Sequence, residues 1–204
     1  MMTRIKFCGL TRKCDIEAVN ELGPEYIGFV FWSRSKRVVT REQASELKAM
    51  LDPSIKAVGV FVDEDIEVVK SLLNDDIIDI AQLHGSEDGT YINDLKMSTG
   101  KPVIKAFKIR SEDDGRQAEE SPADMVLLDS GMGTGKTFNW EIIKGVKRPF
   151  FLAGGLAPDN AAEAIRELHP YALDVSSGIE TEGIKDTKKM TDFYEAVRKE
   201  DEHD

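Results

Sequence analysis

The sequence contains little that would staple the chain, anchor it or bind a metal. It has two cysteines in 204 residues, Cys8 and Cys14, too few for a disulfide framework. The thiols are therefore expected to stay reduced, which points to a cytoplasmic protein. There are three histidines, and only His84 ends a strand-like run. It reads as a hydrogen-bonding or packing residue rather than a metal ligand, and no metal site is expected. No apolar run approaches the ~20 residues of a membrane span; the longest, such as Tyr26 to Trp32, are strand-sized. The opening Met-Met-Thr-Arg-Ile-Lys has no apolar signal-peptide core. Positive charge is also scarce: 27 Lys and Arg stand against 38 Asp and Glu, a net charge of −11. Such a chain repels phosphate backbones, which argues against a nucleic-acid partner. An anionic ligand would need a local patch of donors to overcome that field.

What is present is an ordinary globular composition, 41% hydrophobic and 32% charged. No Ser/Gly linker or shift in composition divides it, so one domain is expected over residues 1–204, with a charged, frayed tail from about residue 200. Short runs rich in Val, Ile and Phe begin near Arg4, Tyr26, Lys56, Ile77, Pro102, Asp124, Phe150 and Tyr171. Their mean spacing is about 24 residues, the size of one strand, one helix and two short loops. Thr40-Arg41-Glu42-Gln43 predicts a capping box at the second helix. Asp63 and Pro158 read as start signals for the third and seventh helices. The last helix is expected from Asp186 or Thr187 to about Lys199. Eight such units exceed the usual open doubly wound sheet and fit a closed (β/α)8 TIM barrel, here a short variant. A monomer is the default over a homodimer, since nothing in the sequence separates an exposed barrel face from an interface.

A barrel places function at the C-terminal ends of its strands. In this sequence those ends are polar or glycine-rich, whereas the strand starts and middles are mostly aliphatic. Cys8 shares the lumen face of its strand with Lys6. It reads either as a small buried hydrophobe or as a base or nucleophile whose pKa is lowered by Lys6 and loop amides. Cys14 falls in the first helix and reads as structural. Asp129 follows four apolar residues, as a loop anchor or as a partly desolvated acid suited to proton donation. Gly154-Gly155 and Ser177-Gly178, in the loops after strands seven and eight, form a phosphate-cradle pattern. Gly133-Thr134-Gly135-Lys136-Thr137 misses the P-loop spacing, because Ser130 stands where the first glycine belongs. It reads as a mobile lid carrying Gly135 and Lys136. The basic run Ser33 to Arg37 is either solvated surface or a carboxylate clamp, a task that suits Arg37. Two other readings compete with an enzyme of this kind. One is metal-dependent sugar-phosphate epimerisation, for which only His84 and Asp129 offer themselves as ligands; the other is a phosphate-binding barrel without turnover.

Lys6-Phe7-Cys8-Gly9-Leu10-Thr11 resembles the Lys-x-Cys-Gly-x-Thr opening of the phosphoribosylanthranilate isomerase family of tryptophan biosynthesis. Gly28-Phe29-Val30-Phe31, Ser35-Lys36-Arg37, Gln82-Leu83-His84-Gly85 and Leu127-Leu128-Asp129 are similar to that family's motifs. So are Gly135-Lys136-Thr137-Phe138 with Trp140, Gly154-Gly155-Leu156, and Asp174-Val175-Ser176-Ser177-Gly178-Ile179-Glu180. The matches run in order over nearly the whole chain. A short segment between Asp129 and Gly135 is the main departure, and it bears on the lid. The resemblance implies a (β/α)8 barrel and an Amadori rearrangement of a small, anionic, phosphorylated substrate, without metal or organic cofactor. It implies Cys8 as general base and Asp129 as general acid. Arg37 would hold the anthranilate carboxylate, and the glycine turns at Gly154, Gly155, Ser177 and Gly178 the phosphate. Asp174 would support the sugar, with Gln82 and His84 also facing the substrate.

Overall fold

The computed structural model describes residues 2–129 and 140–202. Its strands are β1 (Arg4–Cys8), β2 (Tyr26–Val30), β3 (Lys56–Phe61), β4 (Ile80–Leu83), β5 (Val103–Lys108), β6 (Met125–Asp129), β7 (Phe150–Ala153) and β8 (Ala172–Val175). Each is followed by a helix: α1 (Lys13–Leu22), α2 (Arg41–Met50), α3 (Ile66–Asn74), α4 (Gly89–Thr99), α5 (Glu112–Glu120), α6 (Trp140–Lys144), α7 (Ala161–Leu168) and α8 (Thr187–Asp201). The strands pair in parallel in chain order, and β1 closes on β8 with Lys6 opposite Asp174. This is the (β/α)8 barrel expected from the spacing. No helix among the described residues is long and apolar enough to cross a membrane.

The period of two sorts each strand between two cores. On β1, Ile5 and Phe7 point outward into the layer between barrel and helices, where Phe7 meets Phe193 of α8 at 6.2 Å, edge to face. Lys6 and Cys8 face the lumen, as expected. The lower lumen is filled by residues such as Tyr26, Val58, Ile104, Leu127 and Phe151. Above them Cys8, Val30 and Val60 form a small apolar collar.

The helix starts follow local capping chemistry, and here the structure corrects the sequence. Thr40 does cap α2 through the expected box with Gln43. The cap of α3, however, is Asp65, whose carboxylate accepts from the Glu67 amide. Asp63 instead takes a left-handed φ of 51° and accepts from both the amide and the hydroxyl of Ser86. It ties two loops at the C-terminal face together. Pro158 lies in a turn, and α7 begins at Ala161 after Asn160. β4 starts at Ile80 rather than Ile77, because the amides of Ile77 and Ile78 bond back to the Leu72 carbonyl and close the end of α3. α8 runs two residues past Lys199. Glu200 pairs with Arg166, and Asp201 accepts from the Thr3 amide, so these two belong to the helix rather than to a frayed tail. Cys14 is exposed on α1.

A feature absent from the sequence reading lies between β8 and α8. A 3-10 turn (Ser177–Ile179) leads into a hairpin of β9 (Glu180–Thr181) and β10 (Ile184–Lys185). Its two-residue turn, Glu182-Gly183, has φ values of 53° and 80°. Positive φ at both positions matches strand twist and explains the glycine.

Candidate active site

The barrel's upper lumen is polar. Nζ of Lys6 donates to Oδ2 of Asp174 at 2.8 Å, with both side chains buried. Burial works against the charge on Lys6, but the Asp174 carboxylate and neighbouring Cys8 more than offset it, and the net shift is upward. Cys8 sits two residues further along β1, facing the same space. Its strand partner is Gly28, and a Cβ there would stand 2.7 Å from the Cys8 sulfur. The thiol therefore occupies room that only glycine leaves free. Burial pushes the Cys8 thiol up, and the charges of Lys6 and Lys185 recover only part of that. Of the two readings the sequence left open for Cys8, the thiol lowered by Lys6 is not the one found in the free protein, because desolvation is the larger effect.

Across the lumen, Nε2 of Gln82 lies 3.3 Å from Nδ1 of His84, and Nε2 of His84 lies 3.6 Å from Oδ2 of Asp129. Cys8, Gln82, His84, Asp129, Gly154, Gly155, Asp174 and Ser177 thus line one cavity of about 220 Å³. Two buried acceptors of that wall, Oε1 of Gln82 and Oδ1 of Asp174, have no hydrogen-bond partner among the described residues. Buried acceptors normally find a donor, and leaving one bare costs about 1–3 kcal/mol. They are suited to receive hydroxyl donors from a bound polyol.

Two backbone turns close one side of the cavity. Gly154 and Gly155 take φ values of 95° and 65°. Asn160 braces that loop, accepting from the Ala157 amide and donating to the Gly155 carbonyl. A Cβ on Gly178 would fall 1.8 Å from the Leu156 carbonyl oxygen. The β7 and β8 loops therefore touch through a glycine, at the turns where the sequence places a phosphate cradle. Lys136 and Gly135, expected in a lid, lie outside the described residues.

Arg37 is half-buried and does not line the cavity; it stands beside it. A Cβ on Gly9, the residue after Cys8, would meet its Cδ at 2.4 Å. Its Nε and Nη2 donate to the two oxygens of Glu180 at 2.5 and 2.7 Å. Glu180 also accepts from Lys185 at 2.6 Å. Burial alone would raise the Glu180 carboxyl, but the hydrogen bonds and charges of Arg37 and Lys185 bring it down to about 2. Lys185 and the structural part of Glu180 were not legible in sequence. The only signal available was the Gly183 turn that folds the hairpin back. Gly28, matched in sequence only as part of a family motif, is explained by its contact with the Cys8 sulfur.

A larger cavity of about 740 Å³ lies to one side, between the loops that follow β4 and β5. Its buried charges are mutually satisfied: Lys105 donates to Glu87 at 2.9 Å and to the Gly85 carbonyl at 2.7 Å. It presents no bare group comparable to those around Cys8. Among the described residues no three His, Cys, Asp or Glu side chains converge as a metal-ligand group.

A thiol and a carboxylate at the ends of β1 and β6 share one cavity with two glycine turns at the C-terminal face, the layout of a (β/α)8-barrel enzyme. Comparison with known proteins narrows the class. The family model for N-(5'-phosphoribosyl)anthranilate isomerase matches residues 5–196. The N-(5'-phosphoribosyl)anthranilate isomerase of Thermoanaerobacter sp. (strain X514) is 47% identical, over 97% of this chain and 98% of its own length. The crystal structure of phosphoribosyl anthranilate isomerase from Thermotoga maritima superposes with a TM-score of 0.87 at 34% identity, covering 97% of this chain and 100% of that one. A structure of such an isomerase in complex with reduced 1-(o-carboxyphenylamino)-1-deoxyribulose 5-phosphate superposes with a TM-score of 0.86 at 33% identity, again over 97% and 100%. The chain belongs to the phosphoribosylanthranilate isomerase family.

Proposed function

We propose that this protein is the phosphoribosylanthranilate isomerase of tryptophan biosynthesis. It converts N-(5'-phosphoribosyl)anthranilate to 1-(2-carboxyphenylamino)-1-deoxyribulose 5-phosphate by an Amadori rearrangement. The observation that carries this reading is the placement of Cys8 and Asp129 on one small cavity with the two glycine turns.

Asp129, as general acid, gives a proton to the furanose ring oxygen. The C1'–O bond breaks as the anthranilate nitrogen lone pair forms C=N. The adjacent C2' proton is then acidic, and the Cys8 thiolate removes it. The C–H electrons form C1'=C2', and the C=N electrons return to nitrogen, giving the enolamine. Loss of the C2' hydroxyl proton and protonation at C1' yield the ketone. A cation forming on the substrate beside Cys8 favours the thiolate, which matters because burial holds the free thiol up. The bare oxygens of Gln82 and Asp174 receive sugar hydroxyls, and His84 orients Asp129. The amides at Gly154, Gly155, Ser177 and Gly178 hold the phosphate, and Arg37 holds the anthranilate carboxylate.

The test is the loss of substrate fluorescence with purified protein in EDTA. Cys8→Ala and Asp129→Asn are each expected to lose about 10²–10⁴ in kcat/KM while the fold is retained. Near-wild-type turnover in either variant removes that residue's role, and an inactive, folded wild-type protein removes the assignment.

A further inference from the structure

Glu180, on the hairpin that the sequence did not disclose, is hydrogen-bonded to Arg37, which stands beside Cys8 and Gly9. A guanidinium has five N–H donors arranged around a plane. Arg37 spends Nε and one Nη2 proton on Glu180, along one edge. The end-on fork formed by Nη1 and the second Nη2 proton makes no hydrogen bond to any described residue. That fork has the spacing of a second carboxylate. Arg37 is 31% exposed, while the Glu180 and Lys185 side chains are 6% and 2% exposed.

Lys185 is placed differently. An ammonium has three donors, and Lys185 directs its own to Glu180, the Ser176 carbonyl and the Ser176 hydroxyl, at 2.6, 2.8 and 3.2 Å. It keeps nothing for a ligand. Its partner Ser176 donates in turn to the Cys8 carbonyl at 3.0 Å. The hairpin is thus tied to the backbone of the reactive strand, and Gly9 lets the Arg37 stem lie against that same backbone. The three linked side chains Arg37, Lys185 and Glu180 carry one net positive charge, which matches one carboxylate on a ligand, while Lys189 reaches only the Glu180 carbonyl.

We propose that Glu180 is the positioning residue of the carboxylate subsite. It grips Arg37 by one edge so that the other fork is presented to the substrate's aryl carboxylate, and it holds the subsite at a single positive charge. This rests on the reading of the protein as an isomerase of a carboxylated aminosugar phosphate. Without Glu180 the Arg37 side chain loses its orientation, and Lys185 and Arg37 face each other unneutralised.

A double-mutant cycle tests the assignment, with kcat and KM measured separately for wild type, Arg37→Ala, Glu180→Ala and the double variant. Glu180→Ala is expected to lower kcat/KM about 10- to 100-fold, mainly through KM, the range expected for one charge-assisted hydrogen bond. In the Arg37→Ala background the same change is expected to cost less than about twofold. Glu180→Asp is expected to recover part of the loss. Independent, multiplicative losses, or an effect confined to kcat, overturn the proposal. If Glu180→Ala does not fold, the cycle is run with the isosteric Glu180→Gln, read by the same criteria. Wild-type turnover is measured first: its absence sinks the functional reading, whereas turnover with independent losses sinks only the role of Glu180.

Discussion

At the N-terminal end of the barrel Phe151 meets Tyr26 edge to face at 5.3 Å and Tyr171 at 5.5 Å, and Arg4 lies 4.2 Å over the Tyr171 ring. The two phenol oxygens are 3.0 Å apart and satisfy each other. At the C-terminal end the same lumen holds Lys6, Gln82 and Asp174, all buried, and two of their polar atoms have no partner among the described residues. A bare buried acceptor lowers stability and a satisfied aromatic cluster raises it. One end of the tube is built to hold the fold together. The other carries a cost that a bound ligand can repay, and so function is assigned to it.

The comparison is broken most directly from below. Phe151 is fully buried at the centre of the aromatic plug. Phe151→Ala is expected to lower unfolding free energy by about 3–5 kcal/mol, the usual cost of such a cavity. Denaturant titration measures it. Turnover per folded molecule, measured well below the new melting temperature, should stay within about threefold of wild type. Cys8→Ala and Asp129→Asn are the mirror image, with activity lost and stability kept. If Phe151→Ala silenced the folded enzyme, the two ends would not be separable.

How far the sequence reaches follows the same division. The eight strands were legible because each carries four to six apolar or alternating residues. Lys6 and Cys8 could be placed on one face by strand parity, and Gln82 and Asp129 at strand ends, whereas Asp174 came only from the family resemblance. Helix starts were less secure. Asp63 has the residue type of a cap, but its backbone is left-handed and its carboxylate serves Ser86. The β9–β10 hairpin was not seen because two-residue strands have no period to detect. The Arg37–Glu180 pair joins residues 143 apart, a separation no local pattern reports. The direction of the Cys8 shift was not legible either. The sequence displays the cation next to the thiol, but the amount of water removed from it is a property of the closed barrel.

That last point gives a measurement of intermediate size. In a Cys14→Ser background, which removes the exposed thiol, the rate of alkylation by iodoacetamide reports the thiolate of Cys8 alone. Burial raises the folded-state pKa, so thiolate appears only as pH rises past the ordinary thiol range, and the midpoint is expected to lie above that of the same protein in denaturant. Because the folded state keeps its proton to higher pH, this group stabilises the fold less as pH rises through the unfolded thiol's pKa. A midpoint below that of the denatured protein would mean that Lys6 and Lys185 outweigh burial, and the upper lumen would then be a preformed thiolate site rather than one completed by substrate.

The smallest effect sharpens the comparison at the quiet end. Burial, with the hydrogen bond to Tyr171, holds the Tyr26 phenol up, so it keeps its proton near neutral pH. Tyr171→Phe removes one hydroxyl from the only polar contact between the two rings and leaves their packing with Phe151 unchanged. A neutral hydrogen bond is worth a net of about 0.5–1.5 kcal/mol, so the loss should fall in that range by denaturant titration, with kcat and KM unchanged. A loss well above it would show that the Tyr26 hydroxyl is left bare and dry, as the oxygens of Gln82 and Asp174 are at the other end. Both ends would then carry buried polar cost, and the difference between them would lie in which of the two a ligand can reach.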